Sequence, residues 1–270
     1  MKNKDIFSKD PLTHTLVNQG VANVNDDKSS QALAVLRYEL ETFVCDGQYE
    51  KGLAHIIETY LKNIEQAQQP AVWVSGFYGS GKSHLVKMLR ALWVDTEFED
   101  GATARGITHL PQNVSDLLKE LSTQGKRHGG LFAASGTLGA GASGSVRLAL
   151  LRIVFKSAGL PEQYPVAKFV MWLKSEGIYD EVKKHVEKLG HDWQEEIDNF
   201  YVAEGLHEVL LKVKPNLFSS PTTCVETLNN LYPYVQDISN DQVVKAINQA
   251  LIKDGKFPLT LIALDEVQQY

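Results

Sequence analysis

The sequence has few cysteines and no long apolar run. Its 270 residues include only two cysteines, Cys45 and Cys224, which lie far apart in the chain. Two such thiols form neither a zinc motif nor a disulfide framework, so we predict a reducing, cytoplasmic compartment. No stretch approaches the roughly 20 apolar residues of a membrane-spanning helix. The polar first ten residues do not resemble a secretory signal, and no membrane partner is expected.

Basic residues are also fewer than acidic ones. The chain has 27 lysines and arginines against 33 aspartates and glutamates, which gives a net charge of -6. This balance argues against a wholly basic nucleic-acid-binding protein but leaves room for a local basic patch. The eight histidines show no zinc-binding spacing. The hydrophobic content of 43% is enough for a substantial core in one large domain or two small ones.

One glycine-rich segment carries the most specific signal. Residues 76–83 read Gly-Phe-Tyr-Gly-Ser-Gly-Lys-Ser and match Gly-x-x-x-x-Gly-Lys-Ser/Thr, the phosphate-binding loop or Walker A motif. The apolar run 71–75, introduced by Pro70, predicts a strand before the loop. Apolar residues over 85–93 recur at helical spacing after it. The order strand, loop, helix is the context that the motif needs.

Each loop position has a physical role in binding ATP. Glycines let backbone N–H groups approach phosphate oxygens with no Cβ in the way. The positive end of the following helix faces the anion. Lys82 is predicted to contact the β- and γ-phosphates, and Ser83 Oγ is predicted to bind Mg²⁺. The predicted ATP-binding residues are Gly76, Phe77, Tyr78, Gly79, Ser80, Gly81, Lys82, Ser83 and His84.

A second segment supports the first. The apolar run 259–264 follows Pro258 and ends in Asp265-Glu266. This pattern, a Walker B motif, predicts a strand covered on both faces of a parallel sheet, with two carboxylates at its carboxyl end. Asp265 is predicted to hold Mg²⁺, mostly through water. Glu266 is predicted to act as the general base on the attacking water, so that Lys82 and Glu266 are the expected catalytic residues.

The remaining pattern divides the chain into four parts. Residues 1–69 are expected to be an arm followed by two amphipathic helices, one from Ser29 or Ser30 to about Asp46 and one over 49–64. Residues 70–158 form the first half of an α/β core, with a second strand at 131–134, and 159–257 form a mainly helical insertion. Residues 258–270 hold the Walker B strand. Since no further strand follows, the parallel sheet is expected to be incomplete at its C-terminus, in a piece of a longer protein.

Two smaller features have competing explanations. Residues 139–144 match Gly-x-Gly-x-x-Gly, but no acidic residue ends a second strand about 20 positions later. We therefore favour a loop, or a contact for nucleic acid or a partner, over a dinucleotide site. Trp73 is expected in the core. Packing is also the first expectation for Phe77 and Tyr78, and exposure with contact to a partner is the alternative.

With these motifs in place, the sequence resembles the BrxC/PglY family of P-loop ATPases from bacterial BREX phage-exclusion systems. The resemblance lies in the opening Lys4-Asp5-Ile6-Phe7, in residues 72–85 and in residues 261–270. The aromatic pair inside the loop and the Asp-Glu-Val-Gln-Gln ending make it more specific than a phosphate-binding loop alone. It covers all 270 residues and corresponds to the N-terminal part of much longer proteins.

This resemblance implies an AAA-type ATPase of antiviral defence. Such a protein acts with other BREX proteins, and in its full-length form with DNA, in distinguishing self from phage DNA. By position, the resemblance implies the same roles for Lys82, Ser83, Asp265 and Glu266. The sensor strand, helical lid and any arginine finger lie beyond Tyr270, so hydrolysis is expected of the full-length protein. A homo-oligomer for that protein and a monomer for this chain stay open.

Two other functions are alternatives. In one, the chain is a non-catalytic, nucleotide-dependent interaction module whose N-terminal helices and insertion dock partner proteins or DNA. In the other, it is a small-molecule kinase, which needs an arginine-rich lid and an acceptor pocket. Neither kinase feature is visible in the sequence, and Glu266 favours water as the acceptor.

Overall fold

The computed structural model describes residues 22–25, 27–138 and 145–267. Their architecture is mixed α/β, with many helices and a small parallel sheet of two strands. The helices, in chain order, are α1 (Ser30–Glu41), α2 (Gly47–Lys62), α3 (Lys82–Val94), α4 (Ala104–Ile107), α5 (Gln112–Arg127), α6 (Val146–Ser157), α7 (Tyr164–Ser175), α8 (Tyr179–Lys188), α9 (Trp193–Asp198), α10 (Glu204–Val213), α11 (Pro221–Leu231) and α12 (Asn240–Leu251). The strands are β1 (Leu131–Thr137) and β2 (Leu259–Asp265).

The sheet confirms both of these strands but is narrower than expected. The Leu259 N–H donates to the Gly130 carbonyl at 2.9 Å where the pairing of β1 and β2 begins. Of β2, only Leu259 and Ala263 are buried, so the expectation of a strand covered on both faces is wrong. The reason is that β2 pairs with β1 alone within the residues described, which leaves the rest of its apolar side chains half-buried.

The chain forms two compact units. The first contains the described residues up to Gly136 together with Pro258–Asp265, and the second contains those of 137–257 with Glu266 and Val267. Each has its own apolar core. The second unit is helical and takes in α6, which the sequence analysis assigns to the first half of the core.

The first helix starts where the sequence predicts and ends early. The Ser29 hydroxyl caps it by accepting from the Ala32 N–H. The helix stops at Glu41, and the Thr42 hydroxyl then donates to the Tyr38 carbonyl at 2.8 Å. A side chain that bonds a preceding carbonyl competes with the helical pattern. The predicted extension to Asp46 is therefore wrong, and Val44 is 67% exposed.

Helix α3 is fixed to the sheet and to its neighbours at its C-terminal end. It packs against β2, and the Trp93 indole Nε1 donates to the Leu259 carbonyl at 3.1 Å in the buried interior. The Arg105 guanidinium donates to the carbonyls of Leu92, Trp93 and Leu118 at 2.7, 2.8 and 2.9 Å. The carbonyls of Leu92 and Trp93 lie in the last turn of α3 and lack helical partners, so Arg105 satisfies them. Its bond to the Leu118 carbonyl ties α3 to α5.

The segment before the glycine loop departs from prediction. Residues 71–75 form no strand, and no backbone hydrogen bond pairs them with any residue that the structure describes. Val72 and Trp73 are 50% and 71% exposed, so the expectation that Trp73 lies in the core is wrong. Phe77 and Tyr78 are fully exposed, and the expectation that they pack is wrong too. An apolar run forms a strand only when it pairs with a partner strand, and residues 71–75 have no partner strand among the described residues.

Among the helices described above, none combines the length and the apolar composition needed to span a bilayer.

Candidate functional site

The predicted phosphate-binding segment folds as a turn that runs directly into a helix. The Ser80 N–H donates to the Phe77 carbonyl at 3.2 Å, and α3 begins at Lys82. Gly79 and Gly81 have φ angles of 77° and 79°, the left-handed region that other residues avoid. A Cβ at Gly76 would lie 2.7 Å from Ser80 Oγ. All three glycines of the motif therefore meet a conformational or steric demand.

The loop presents backbone amides without acceptors. In the part of the chain that the structure describes, no hydrogen-bond acceptor pairs with the N–H of Gly79, Gly81 or Lys82. Helix α3 has no acidic residue in its first turn and no side-chain cap. Its positive N-terminal end is therefore not compensated by a carboxylate of its own, which is the electrostatic condition for binding an anion.

Lys82 folds back over the loop. Its ammonium Nζ donates to the carbonyls of Gly76 and Phe77, both at 2.9 Å. These neutral carbonyls are weaker partners for the ammonium group than a phosphate oxygen, because the negative charge of the phosphate adds a Coulomb attraction. The Ser83 hydroxyl has no hydrogen-bond partner among the described residues. Both side chains are therefore available to a bound phosphate and its metal.

The two acidic residues of the Walker B segment follow each other at a bend. Asp265 ends β2 and is half-buried, whereas Glu266 is exposed. Glu266 has a φ of 56°, which is unusual for a residue with a long side chain. The chain thus leaves the strand at Glu266 through a strained backbone conformation. The roles of Asp265 and Glu266 stay predictions.

A magnesium site made by the protein alone is not visible. Within the described residues, no group of three or more histidine, cysteine, aspartate or glutamate side chains could hold a metal ion. Mg²⁺ in nucleotide sites takes one or two protein ligands, and phosphates and water supply the rest. The predicted pair Ser83 and Asp265 fits that smaller requirement in its donor chemistry.

The ring of His84 packs in the first turn of α3. Its centroid lies 5.6 Å from that of Phe43, which is buried. Burial lowers the pKa of His84, Lys87 lowers it further, and Glu39 opposes the shift. His84 is therefore neutral near pH 7 and adds no positive charge to the loop.

Two contacts that the sequence analysis missed hold the N-terminal helices on the loop and on α3. The Tyr49 hydroxyl of α2 donates to the Ser80 carbonyl at 3.1 Å. The Lys87 ammonium of α3 pairs with the Glu39 carboxylate of α1 at 2.5 Å, where Glu39 is 2% exposed. A signal for the second contact existed, since Glu39 interrupts the apolar face of α1. The sequence held no signal for the first.

A separate groove of about 1390 Å³ lies in the helical unit. Aromatic and proline side chains contribute to its walls, including Tyr164, Tyr179 and Tyr234. Two of its basic residues pair with one of its acidic residues, since Glu162 contacts Arg152 at 2.5 Å and Lys156 at 3.5 Å. Two further carboxylates, those of Asp198 and Asp237, also line the groove, which has the shape of a binding site.

No protein-family model matches the sequence, and no solved structure matches the chain. Residues 139–144, which match the dinucleotide fingerprint, lie outside the described residues. The site must therefore be interpreted from the geometry of residues 76–84, their helix and the segment that ends at Glu266.

Proposed function

We propose that residues 76–83 bind the phosphates of ATP and that the protein hydrolyses the nucleotide with Mg²⁺. The observation that carries this proposal is the row of loop amides without acceptors, at a helix N-terminus that opens with Lys82. Two left-handed glycines hold the loop in this form. A turn with bare amides and an adjacent ammonium group is suited to a polyphosphate.

Each side chain has a defined task in this proposal. The Lys82 ammonium would leave the two neutral carbonyls and donate to β- and γ-phosphate oxygens. Ser83 and Asp265 would hold Mg²⁺, which neutralises phosphate charge when it is bound. Glu266 would accept the proton of the attacking water as general base. Stabilisation of the transferred phosphoryl group would then rest on Lys82 and the loop amides.

The packing of α3 on β2 supports the pairing of the two motifs. The C-terminal end of α3 contacts the start of β2 through Trp93 and Leu259. A helix that runs antiparallel to the strand from this point has its N-terminus on the side of the strand's carboxyl end. The proposal requires this course for α3, because it brings Lys82 and Asp265 to the same edge of the sheet.

The biological setting of the proposal rests on the resemblance to the BrxC/PglY family alone. On that basis, we propose an AAA-type module of a bacterial BREX antiphage protein. Nucleotide state would control its assembly with other BREX proteins and with DNA. Cytoplasmic location and any oligomer belong to the same proposal.

Removing the Lys82 ammonium tests phosphate binding directly. We expect Lys82→Ala to weaken ATP binding by about 10- to 100-fold, the loss for hydrogen bonds to a charged group. Lys119→Ala is the matched control, since Lys119 is exposed and pairs with Asp116 in its own helix. Titration with a fluorescent ATP analogue measures both. Equal affinities of the two variants, or no binding by the wild type, would contradict the proposal.

One observation favours the interaction module as a second function. Phe77 and Tyr78 are fully exposed at the tip of the loop, where a partner could contact them. In that case nucleotide binding would change the presentation of these rings without hydrolysis. ATP binding together with no phosphate release by the full-length protein would select this function.

A further inference from the structure

Tyr49 contacts the phosphate-binding loop from outside the motif. It lies in the first turn of α2, and its hydroxyl donates to the Ser80 carbonyl at 3.1 Å. Ser80 stands between Gly79 and Gly81, the two left-handed glycines of the loop. The contact therefore falls on the part of the backbone where the loop is most constrained.

A bond to the Ser80 carbonyl also orients the next amide. The peptide unit is planar, and no cis peptide bond occurs in the described chain. In a trans peptide the C=O of Ser80 and the N–H of Gly81 point to opposite sides. Because Tyr49 holds the carbonyl, it directs the Gly81 N–H away from α2. That N–H is one of the amides without an acceptor.

Tyr49 also occupies the space beside Gly81. A Cβ added to Gly81 would lie 1.9 Å from Tyr49 Oη and 3.2 Å from Tyr49 Cζ. The tyrosine side chain thus lies directly against the glycine Cα. At Gly81 the loop therefore packs against a side chain of α2.

Packing fixes the position of the tyrosine ring. The rings of Tyr49 and Phe43 meet edge to face, with centroids 5.8 Å apart. Phe43 is buried and also contacts His84 in the first turn of α3. The buried ion pair of Glu39 and Lys87 joins α1 to the same helix. Tyr49 is therefore held on the loop by elements that are themselves held on α3.

We propose that Tyr49 is a positioning residue for polyphosphate binding, which acts through the Ser80 carbonyl to aim the Gly81 amide at a phosphate oxygen. This inference rests on the proposed function. It assigns to the N-terminal helices a role in the site that the loop motif does not contain.

Tyr49→Phe tests the inference because it removes one oxygen and keeps the ring. Tyr60→Phe is the matched control on the same helix. The Tyr60 ring packs edge to face on Trp93, and its hydroxyl faces the backbone of Thr260. We expect Tyr49→Phe to weaken binding of ATP and of inorganic tripolyphosphate by the same factor, about 3- to 10-fold. Tyr60→Phe should change neither affinity.

Calorimetric titration of the wild type and both variants separates the outcomes. Equal affinities of the two variants would overturn the inference. A loss for ATP without a loss for tripolyphosphate would also overturn it, since the tyrosine would then serve the base or sugar. A Tyr49→Phe chain that melts far below the Tyr60→Phe chain would identify a purely structural role. A wild type that binds neither ligand would instead refute the proposed function.

Discussion

Three described residues other than glycine have left-handed backbone conformations: Asp95, Asp254 and Glu266. Aspartate tolerates this region better than most residues, and the Asp95 carboxylate accepts from the Arg105 N–H at 2.9 Å. Glutamate is found in this region less often than aspartate or asparagine. An observed backbone outlier of this kind supports a hypothesis of function. At the residue scale, Glu266 is therefore the acidic side chain to test first.

The general-base role predicts a separation of binding from hydrolysis. We expect Glu266→Gln to lower phosphate release by about 100-fold or more, the size of a general-base contribution. ATP affinity should stay close to that of the wild type, because glutamine keeps the shape of the side chain. Phosphate release by the full-length protein measures the effect.

Glu187→Gln is the control for this change, since Glu187 is a surface residue of α8. Similar rates for the two variants would remove Glu266 from the reaction. Appearance of a phosphorylated small molecule in place of phosphate would favour the kinase alternative.

At the scale of elements, α3 links the loop to the core. Its N-terminus carries Lys82, and its C-terminal carbonyls accept from Arg105, which is half-buried. Burial lowers the pKa of Arg105, yet the guanidinium keeps its carbonyl partners. The arginine therefore acts as the C-terminal cap of α3 from a residue beyond the helix.

Truncation of this cap should destabilise the first unit. We expect Arg105→Ala to lower the free energy of unfolding by about 2–4 kcal/mol, because several carbonyls lose a charged donor. Arg105→Lys should restore only part of the loss, since an ammonium group cannot reach the same carbonyls together. Urea unfolding measures both. Arg127→Ala, at an exposed helix end, is the control, and an equal effect there would contradict the cap.

The helices and strands that the sequence predicted correctly are those determined by neighbouring residues. Helix α3 follows from the glycine loop and its apolar spacing, and β2 follows from a short apolar run behind Pro258. The run 71–75 looked the same in sequence but forms no strand, because pairing depends on a partner that the run itself does not encode. The expectation that Trp73 is buried was wrong for the same reason.

In the candidate site too, features with a local cause could be predicted from the sequence, whereas contacts between distant residues could not. Its glycines and Lys82 stand out by spacing, and the structure gives these glycines the conformations that the motif needs. Tyr49 could not be found in this way, because its partner Ser80 lies 31 positions away and no pattern joins them. Contacts between distant residues depend on how helices pack, which composition and periodicity do not reveal.

At the scale of the whole molecule, each unit buries one cysteine. Cys45 lies in the core of the first unit and Cys224 in that of the second. Burial raises the pKa of both thiols to about 11. Because the thiolate is the reactive form, about one thiol in a thousand is ionised at pH 8. The two cysteines are thus unreactive towards thiol reagents in the folded protein.

Thiol labelling should therefore report the opening of each unit separately. We expect Cys45→Ser and Cys224→Ser variants to react slowly with a thiol reagent at pH 8 in the folded state. Both should react fully in concentrated urea. The Cys45→Ser variant keeps Cys224, so its urea midpoint describes the second unit. The Cys224→Ser variant keeps Cys45, so its urea midpoint describes the first unit. Fast labelling of either variant without urea would contradict the buried cores.

The two strands of the sheet are separated by residues 138–258, which contain seven of the helices described. Pairing of strands so distant in sequence is slow, because loop closure must precede any gain in contacts. Helices that pack with near neighbours form sooner. We therefore expect the helical unit to fold early during refolding, and the amide hydrogens of the sheet to gain protection against exchange last.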